Sequence, residues 1–328
     1  MNWNGKTVLV TGGGGFIGSH LVENLVALGA KTRALVHYNA RGSWGWLDQS
    51  PVAKEVEVIA GDICDSDSVA GATENAEIVF HLAALIAIPY SYTAPESYVR
   101  TNVQGTLHAL QAARRSGVAR FVHTSTSEVY GTAREVPIKE THPLQGQSPY
   151  SASKIGADKI AEAFHCSFGV PIVTVRPFNT FGPRQSARAV IPTIIAQVLD
   201  GAGAVKLGSL HPTRDLNFVA NTVEGYIAAA SHDAAIGETF NLGSNREITI
   251  GDLAQLIIRL AGRDAKIETE SQRVRPEKSE VERLLADNTK AAKLLGWTPR
   301  VTLEDGLRAT IEWLRENRHW YRTGTYAQ

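Results

Sequence analysis

The 328-residue sequence is poor in cysteine and has no excess of either charge. Its two cysteines, Cys64 and Cys166, lack the spacing of a zinc or redox motif. This excludes a disulfide framework and predicts two buried or unreactive thiols in a reducing compartment. Lysine plus arginine number 33, as do aspartate plus glutamate, so the composition argues against a nucleic-acid partner, which usually needs a basic face. The ten histidines show no ligand spacing, and we expect no metal site.

Long apolar runs are also missing. No window approaches the length of a membrane span, and the first residues enter a strand without the charged and apolar regions of a signal peptide. We therefore expect a cytoplasmic protein that does not contact a membrane.

Short apolar strands alternate with helical segments through the first half of the chain. The strands are predicted at Thr7–Thr11, Lys31–Val36, Val56–Ile59, Ile78–His81, Arg120–Thr124 and Ile172–Val175. Helical periodicity covers residues 16–28, 98–115 and 150–168. Because hairpin signals are missing between the strands, the pattern predicts an α/β fold with a doubly wound parallel sheet of the Rossmann type.

The pattern loosens after Pro183. Strands are predicted near residues 205–207 and 239–242, and helices over 250–261, 289–295 and 303–317. We expect a dinucleotide-binding domain over residues 1–180 and a smaller substrate-binding domain over 181–328, with the 239–242 strand a candidate to return to the main sheet. The smaller domain would cover the carboxyl edge of the sheet, where such folds bind ligands.

The first strand leads directly into a glycine-rich turn that opens a helix: Gly12-Gly13-Gly14-Gly15-Phe16-Ile17-Gly18. Gly12 allows the tight turn, Gly15 lets the backbone approach a pyrophosphate, and Gly18 permits close packing of helix on strand. The amides and dipole at the helix start favour phosphate. In this strand–turn–helix context the motif predicts dinucleotide binding.

The second strand does not end in the acidic residue that usually holds the ribose 2′-hydroxyl. His37, Asn39 and Arg41 follow it instead. Positive groups at this position suit a 2′-phosphate, so the sequence favours NADP slightly over NAD. Arg33 has the simpler interpretation of a solvated surface charge.

Tyr150 and Lys154 are spaced to lie one above the other on a helix face. A phenol that removes a proton from a sugar hydroxyl at neutral pH needs a pKa lowered by about 3 units, or about 4 kcal/mol. A cation about 4 Å away at an effective dielectric near 20 supplies about 4 kcal/mol. We therefore expect Lys154, together with a positively charged nicotinamide ring, to activate Tyr150. Hydroxyl side chains at the end of the fifth strand are placed to share its proton.

These motifs together resemble the extended short-chain dehydrogenase/reductase superfamily, specifically its nucleotide-sugar epimerase/dehydratase branch. The resemblance spans essentially the whole chain and is carried by the glycine turn, Gly61-Asp62-Ile63, His81-Leu82-Ala83-Ala84, Asn102-Val-Gln-Gly-Thr106, Tyr150/Lys154, Arg176-Pro-Phe-Asn179, Arg214-Asp-Leu-Asn-Phe-Val219 and Arg275-Pro276. It implies a catalytic triad of Thr126, Tyr150 and Lys154. It also implies a homodimer formed by the helices at 98–115 and 150–168.

The resemblance further assigns ligand contacts. It implies that the cofactor is held by the glycine turn and by Asp62, Ile63, Leu82, Ala83, Ala84, Asn102, Tyr150 and Lys154. It places five residues near the nucleotide sugar: Asn179, Arg188, Val190, Arg214 and Arg275.

Glu128 distinguishes between branches of the family. The sequence Thr126-Ser127-Glu128 is similar to GDP-mannose 4,6-dehydratases and UDP-glucuronate decarboxylases, whereas typical dTDP-glucose dehydratases carry Asp-Glu, so Ser127 departs from their pattern. The wider blocks 124–130, 143–150 and 183–188 are similar to the N-acetylglucosamine-nucleotide 4,6-dehydratases. We expect a dehydratase that oxidises carbon 4, removes water across carbons 5 and 6 with Glu128 as the base, and returns the hydride.

Four alternatives remain open at this stage. A nucleotide-sugar 4-epimerase would have no use for Glu128, and a uronic acid decarboxylase would need an additional cation, for which Arg184 or Arg188 is available. A further alternative is a dehydratase whose product keeps a double bond between carbons 5 and 6. A catalytically silent nucleotide-binding regulator would not need Thr126, Tyr150 and Lys154.

Overall fold

A parallel sheet forms the centre of the computed structural model, which describes residues 1–201, 203–274 and 276–321. The strands are β1 Thr7–Thr11, β2 Lys31–His37, β3 Glu57–Gly61, β4 Ile78–His81, β5 Arg120–Thr124, β6 Ile172–Pro177, β7 Thr180–Phe181, β8 Ala204–Leu207, β9 Thr213–Asp215, β10 Asn217–Phe218, β11 Thr239–Leu242, β12 Glu247–Thr249 and β13 Lys266–Thr269. Seven of them form the main sheet in the order β11-β6-β5-β4-β1-β2-β3, all parallel. The predicted doubly wound α/β fold is confirmed.

The helices surround this sheet or follow it. They are α1 Phe16–Ala27, α2 Ser66–Thr73, α3 Ile88–Thr93, α4 Pro95–Tyr98, α5 Gly105–Ser116, α6 Pro149–Phe168, α7 Val190–Leu199, α8 Val219–Ser231, α9 Ile250–Leu260, α10 Thr289–Leu295 and α11 Leu303–Glu316. A π-helical stretch, Val99–Gln104, joins α4 to α5. No helix within the described ranges combines the length and the apolar character needed to cross a membrane.

Alternating side chains of the buried strands supply one core on each face of the sheet. Val8 and Val10 pack with residues of α1 and α8 on one face. Leu9 lies in the core of the opposite face, which includes residues of α5 and α6. The helix that carries Tyr150 and Lys154 is thus fixed against the sheet by apolar burial.

A third core lies in the second half of the chain. It is built from α7, α9 and α11, with Ile194, Leu253 and Leu307 fully buried, and it uses residues between 181 and 321. β11 nevertheless pairs with β6 at the edge of the main sheet, so the chain returns to the sheet after β10.

Four of the helices that the structure describes were not apparent from the sequence pattern: α2, α3, α7 and α8. The α7 sequence Val-Ile-Pro-Thr-Ile-Ile-Ala-Gln-Val-Leu is rich in β-branched residues, which disfavour helices locally, and its helical state is stabilised by packing in the third core. The helix predicted over 98–115 begins earlier, at Pro95, and contains the π-helical stretch.

Candidate functional site

The segments that carry the expected site residues meet at one edge of the main sheet. The glycine turn follows β1, the loop at Leu82 follows β4, and Thr126 follows β5. Because all seven strands are parallel, their carboxyl ends lie at the same edge, which is where ligands bind in open α/β sheets.

The backbone of the glycine turn is packed too closely to admit side chains. Gly12 has a φ of +70°, and a Cβ there would lie 3.0 Å from the amide nitrogen of Ala83. A Cβ on Gly18 would lie 2.2 Å from the carbonyl oxygen of Gly12. These contacts account for the glycines at both positions.

The start of α1 is suited to bind phosphate. Gly15 precedes the helix in an extended conformation, and no side chain among the described residues caps its first turn. The amides of Phe16 and Ile17 are therefore left for oxygen atoms of a ligand, and the helix dipole favours an anion there. This geometry fits the diphosphate of a dinucleotide.

The loop after β4 is tied to the glycine turn. The hydroxyl oxygen of Thr11 accepts hydrogen bonds from the amides of Leu82 and Ala83, both at 3.1 Å. On the other side of the turn, the carbonyl of Gly14 accepts a hydrogen bond of 2.9 Å from the amide of Trp46. The cradle for the dinucleotide is thus held from both sides, and Ala84 lies half-buried beside it.

The three residues expected at the ribose 2′-position differ in their accessibility. The His37 side chain is 79% exposed and lies 3.9 Å from Asp62. The Asn39 amide hydrogen-bonds within its own loop, to His37 and Ser43, whereas Arg41 is exposed. Arg33 forms an ion pair of 2.7 Å with Glu57 and does not face this position.

Two further residues that are expected to contact the cofactor, Asn102 and Ile63, also contact other segments of the protein. Asn102 is buried in the π-helical stretch, where its side chain hydrogen-bonds the amide and carbonyl of Leu85 and the hydroxyl of Ser153. It therefore fixes the loop after β4 against α6. Ile63 is buried and packs against Gly105.

The structure brings the three expected catalytic side chains together. A capping box at Ser148 begins α6, so Tyr150 lies in its first turn. Tyr150 and Lys154 are both buried, and the Lys154 ammonium donates a hydrogen bond of 2.5 Å to the carbonyl of Thr124. The side chain of Thr126 hydrogen-bonds the Tyr150 hydroxyl.

Burial dominates the ionisation of this pair. It raises the pKa of Tyr150, against the lowering effect of the Thr126 hydrogen bond, and it lowers the pKa of Lys154 to about 8. The expectation that Lys154 activates Tyr150 together with a positively charged nicotinamide ring stays a prediction.

Glu128 is 9% exposed and lies in a short helix, Ser127–Tyr130, directly after Thr126. The Thr126 hydroxyl accepts a hydrogen bond of 3.2 Å from the amide of Glu128, which orients the start of this helix. The Glu128 carboxylate contributes to the raised pKa of Tyr150, as expected for a negative charge beside a phenol. A carboxylate thus shares the site with the phenol.

The residues expected near the substrate lie on three segments. The side-chain oxygen of Asn179 is buried and has no hydrogen-bond partner among the described residues. Arg188 is exposed on the loop before α7 and its charge lowers the pKa of Tyr98, although burial raises that pKa overall, and Val190 begins α7. Arg214 pairs with Glu280 at 2.9 Å. Arg275 lies outside the described residues.

Arg184 is committed to a structural contact. Its guanidinium hydrogen-bonds Glu23 at 2.8 Å and the hydroxyl of Ser19 at 3.1 Å, both on α1. Arg184 thus anchors the loop that precedes α7 to the helix that begins at the glycine turn.

The second half of the chain closes over the site. The hydroxyl of Tyr92, in α3, hydrogen-bonds Ser279 at 2.6 Å, and the Ser279 hydroxyl donates to the carbonyl of Gln147 at 2.9 Å. Gln147 also donates to the carbonyl of Lys278 at 3.2 Å. The segment around residue 279 therefore joins α3 to the residues that precede α6.

Asp158 is a site residue that the sequence reasoning missed. It is buried on α6, one turn beyond Lys154, and it contacts β5 and β6. A signal was present, because tyrosine, lysine and aspartate at four-residue spacing share one helix face, and an acidic residue on a buried face needs a partner.

We predict that Gly18→Ala weakens nicotinamide dinucleotide binding by at least about tenfold, because the new Cβ would displace the carbonyl of Gly12. Gly71→Ala, in α2, is the matched control, since nothing lies within 4 Å of its Cβ. Titration calorimetry of the two purified variants measures the difference. Equal affinity in Gly18→Ala and Gly71→Ala would contradict the placement of the cofactor at this turn.

Comparison with known proteins shows which family the chain resembles. Residues 9–310 match the family described as GDP-mannose 4,6 dehydratase. A dTDP-glucose 4,6-dehydratase of an Actinoplanes species is 33% identical over 321 residues, covering 96% of this chain and 99% of the relative.

Similar solved structures include dehydratases and epimerases. DesIV, the dTDP-glucose 4,6-dehydratase of Streptomyces venezuelae with NAD and TYD bound, is 32% identical with a TM-score of 0.88, covering 96% of this chain and 99% of that one. The epimerase Mth375 of Methanothermobacter thermautotrophicus is 34% identical with a TM-score of 0.89, covering 97% and 94%. The chain belongs to the GDP-mannose 4,6-dehydratase family of the extended short-chain dehydrogenase/reductases, and it is an NAD(P)-dependent nucleotide-sugar dehydratase.

Proposed function

We propose that this enzyme converts a nucleotide-linked N-acetylglucosamine into its 4-keto-6-deoxy product. The observation that carries the proposal is the buried carboxylate of Glu128 beside Tyr150, because dehydration needs a base for the carbon-5 proton in addition to the base for the 4-hydroxyl.

The proposed oxidation uses Tyr150, Thr126 and Lys154. Tyr150 removes the proton of the 4-hydroxyl, and Thr126 shares a hydrogen bond with the phenol. Lys154 places a buried positive charge one helical turn away, fixed by its hydrogen bond to Thr124. A bound oxidised nicotinamide would supply a further positive charge and the capacity to take up the hydride of carbon 4 and to return it at carbon 6.

Glu128 acts in the proposed dehydration. A ketone at carbon 4 acidifies the hydrogen on carbon 5, and Glu128 removes that proton and passes it to the 6-hydroxyl, which leaves as water. Ser127 is buried next to it and offers no carboxylate. Glu128 therefore carries the acid–base chemistry of this step without the Asp-Glu pair of typical dTDP-glucose dehydratases.

Apolar side chains near Tyr150 support an N-acetylated substrate. Ile88 and Tyr98 pack with Tyr150, and Leu85 lies against them. Ile86, in the same loop after β4, is 60% exposed. An apolar surface of this kind suits the methyl of an acetamido group.

Epimerisation is the strongest alternative, since four of the similar solved structures bear the name epimerase. It leaves the buried Glu128 without a role. Decarboxylation of a nucleotide-linked uronic acid depends on Arg188, because Arg184 is bound to Glu23. A 5,6-alkene product requires return of the hydride to carbon 4, and a silent regulator would have no need for the Thr126, Tyr150 and Lys154 contacts.

Incubation of the enzyme with nucleotide-linked glucose, N-acetylglucosamine and glucuronic acid separates these functions by product mass. Loss of water is expected from N-acetylglucosamine, and nuclear magnetic resonance is expected to show a 4-keto group with a carbon-6 methyl. An unchanged mass with inversion at carbon 4 would establish epimerisation instead, and loss of carbon dioxide would establish decarboxylation.

We predict that Glu128→Gln leaves reduction of the bound nicotinamide intact but slows release of water by about 10² to 10⁴. Tyr150→Phe is the contrasting variant, and it is expected to lose the reduction itself. Rapid-mixing absorbance of the reduced nicotinamide follows the first step and mass spectrometry the second. Full turnover by Glu128→Gln would rule out its role as the base.

For the cofactor we propose a slight preference for NADP over NAD. Arg41 is exposed beside the loop that Asn39 organises, and His37 is accessible at the end of β2. Both suit a 2′-phosphate. The solved DesIV structure contains NAD, so the two cofactors need a direct comparison.

Arg41→Ala is expected to reduce NADP affinity by about tenfold while leaving NAD affinity unchanged, because only NADP carries the 2′-phosphate. Arg33→Ala is the control, since Arg33 is paired with Glu57. Dissociation constants of both cofactors for the three proteins give the answer. An equal effect of Arg41→Ala on NAD and NADP would contradict the proposed contact.

We also propose that the enzyme is a cytoplasmic homodimer whose partners pair through α5 and α6. Val99 is 56% exposed at the start of the π-helical stretch, and several apolar residues of the two helices are only half-buried. Light scattering is expected to give twice the mass of the chain. The division into a dinucleotide-binding domain over 1–180 and a substrate-binding domain over 181–328 also stays a prediction.

A further inference from the structure

A buried aspartate on α6 connects the catalytic helix to two strands. The Asp158 side chain is 5% exposed. One of its oxygens accepts a hydrogen bond of 3.0 Å from His123, and the other accepts from the hydroxyl of Ser125 at 2.8 Å and from Arg176 at 3.0 Å. His123 lies on β5, Ser125 directly after it, and Arg176 on β6.

These contacts enclose the point where Lys154 is held. Lys154 donates to the carbonyl of Thr124, and Asp158 binds the residues on both sides of Thr124. The residue after Ser125 is Thr126, which hydrogen-bonds Tyr150. A shift of α6 relative to β5 would therefore break the Asp158 contacts and the catalytic contacts together.

The charges around Lys154 leave a specific role for Asp158. A buried ammonium is unfavourable unless an anion lies nearby, and Asp158 lies one helical turn away. The groups that face this pocket are His123 on β5, Arg176 on β6, Tyr150 and Glu128 at the site, Tyr226 on α8, and His81 stacked on His123. Burial lowers the pKa values of both histidines, so they are neutral near pH 7.

We propose that Asp158 is a positioning residue whose carboxylate, anchored by His123, Ser125 and Arg176, keeps the Lys154 ammonium charged and aligned with Tyr150. The proposal rests on the proposed function only for the consequence in catalysis. Burial lowers the pKa of Lys154 to about 8 and Asp158 opposes this effect, which agrees with the geometry.

The sign of the expected pH effect follows from the charge. Removal of the anion destabilises the ammonium, so Lys154 loses its proton at lower pH, and the basic limb of the rate profile moves to lower pH. Asp158 also raises the pKa of Tyr150, but it lies two helical turns from that residue and its effect there is smaller. The basic limb is therefore expected to move more than the acidic limb.

The experiment uses the holoenzyme with Asp158→Asn, which has the same shape without the charge. Nuclear magnetic resonance of the Lys154 side chain, assigned by its loss in Lys154→Met, is expected to show proton loss about one pH unit lower than in the unmodified enzyme. The rate of nicotinamide reduction by substrate is expected to fall about tenfold above the new pKa.

Tyr130→Phe is the matched control. Tyr130 belongs to the same buried network, since it accepts a hydrogen bond from Arg176 at 2.9 Å and donates to Asn241 at 2.7 Å. Removal of the Tyr130 hydroxyl disturbs the network without changing the charge of the network. The pH at which Lys154 loses its proton and the pH of the basic limb of the rate profile should therefore both stay unchanged. If Asp158→Asn and Tyr130→Phe lower the rate alike and leave the Lys154 titration unchanged, the role of Asp158 is only structural and the proposal is overturned.

A second variant covers poor folding of Asp158→Asn, which leaves Arg176 without its anion. Asp158→Asn combined with Arg176→Gln removes the buried pair together. Lys154 is expected to titrate lower again, because the anion one helical turn away is removed, and an unchanged titration overturns the proposal. The titration of Lys154 needs no sugar. If the pKa of Lys154 shifts as expected but none of the nucleotide sugars reduces the bound cofactor, the proposed function alone is contradicted.

Discussion

The polar face of α6 is buried against the carboxyl end of β5, and the remainder of the site is arranged around this contact. Tyr150, Lys154 and Asp158 lie on that face, and each has a partner on or directly after β5. Buried polar groups lose their hydration, so each requires a hydrogen bond or counter-charge from the protein. This requirement fixes the helix relative to the strand far more narrowly than apolar packing does.

The glycine turn that forms the predicted dinucleotide cradle is also fixed by close contacts, but these are contacts between backbone atoms and not between side chains. Gly12 and Gly18 lie so close to neighbouring backbone atoms that a Cβ would displace them, and the first turn of α1 is left without a side-chain cap within the described residues. The cradle offers amides and a helix dipole, which bind phosphate regardless of the base attached to it. We predict that discrimination between NAD and NADP depends on the exposed residues after β2.

The two halves of the chain are joined by polar contacts near the site. Arg184 ties the loop before α7 to α1, and Tyr92 and Gln147 hold the segment around Ser279. Both links connect a candidate substrate-binding segment to an element of the dinucleotide half.

The sequence by itself determined the fold class, the glycine turn and the tyrosine–lysine pair, because local spacing encodes each of them. Strand alternation, a strand–turn–helix motif and a four-residue helical interval are readable without knowledge of distant contacts. Family resemblance also singled out Glu128, which the structure places beside Tyr150.

Only the tertiary structure decided the properties that depend on burial and on contacts between distant segments. It showed that desolvation raises the pKa of Tyr150, that Arg184 pairs with Glu23, and that Arg214 pairs with Glu280. It also gave Asp158 its partners on β5 and β6. Desolvation and pairing depend on which atoms surround a group in three dimensions, and the linear order of residues does not specify that surrounding.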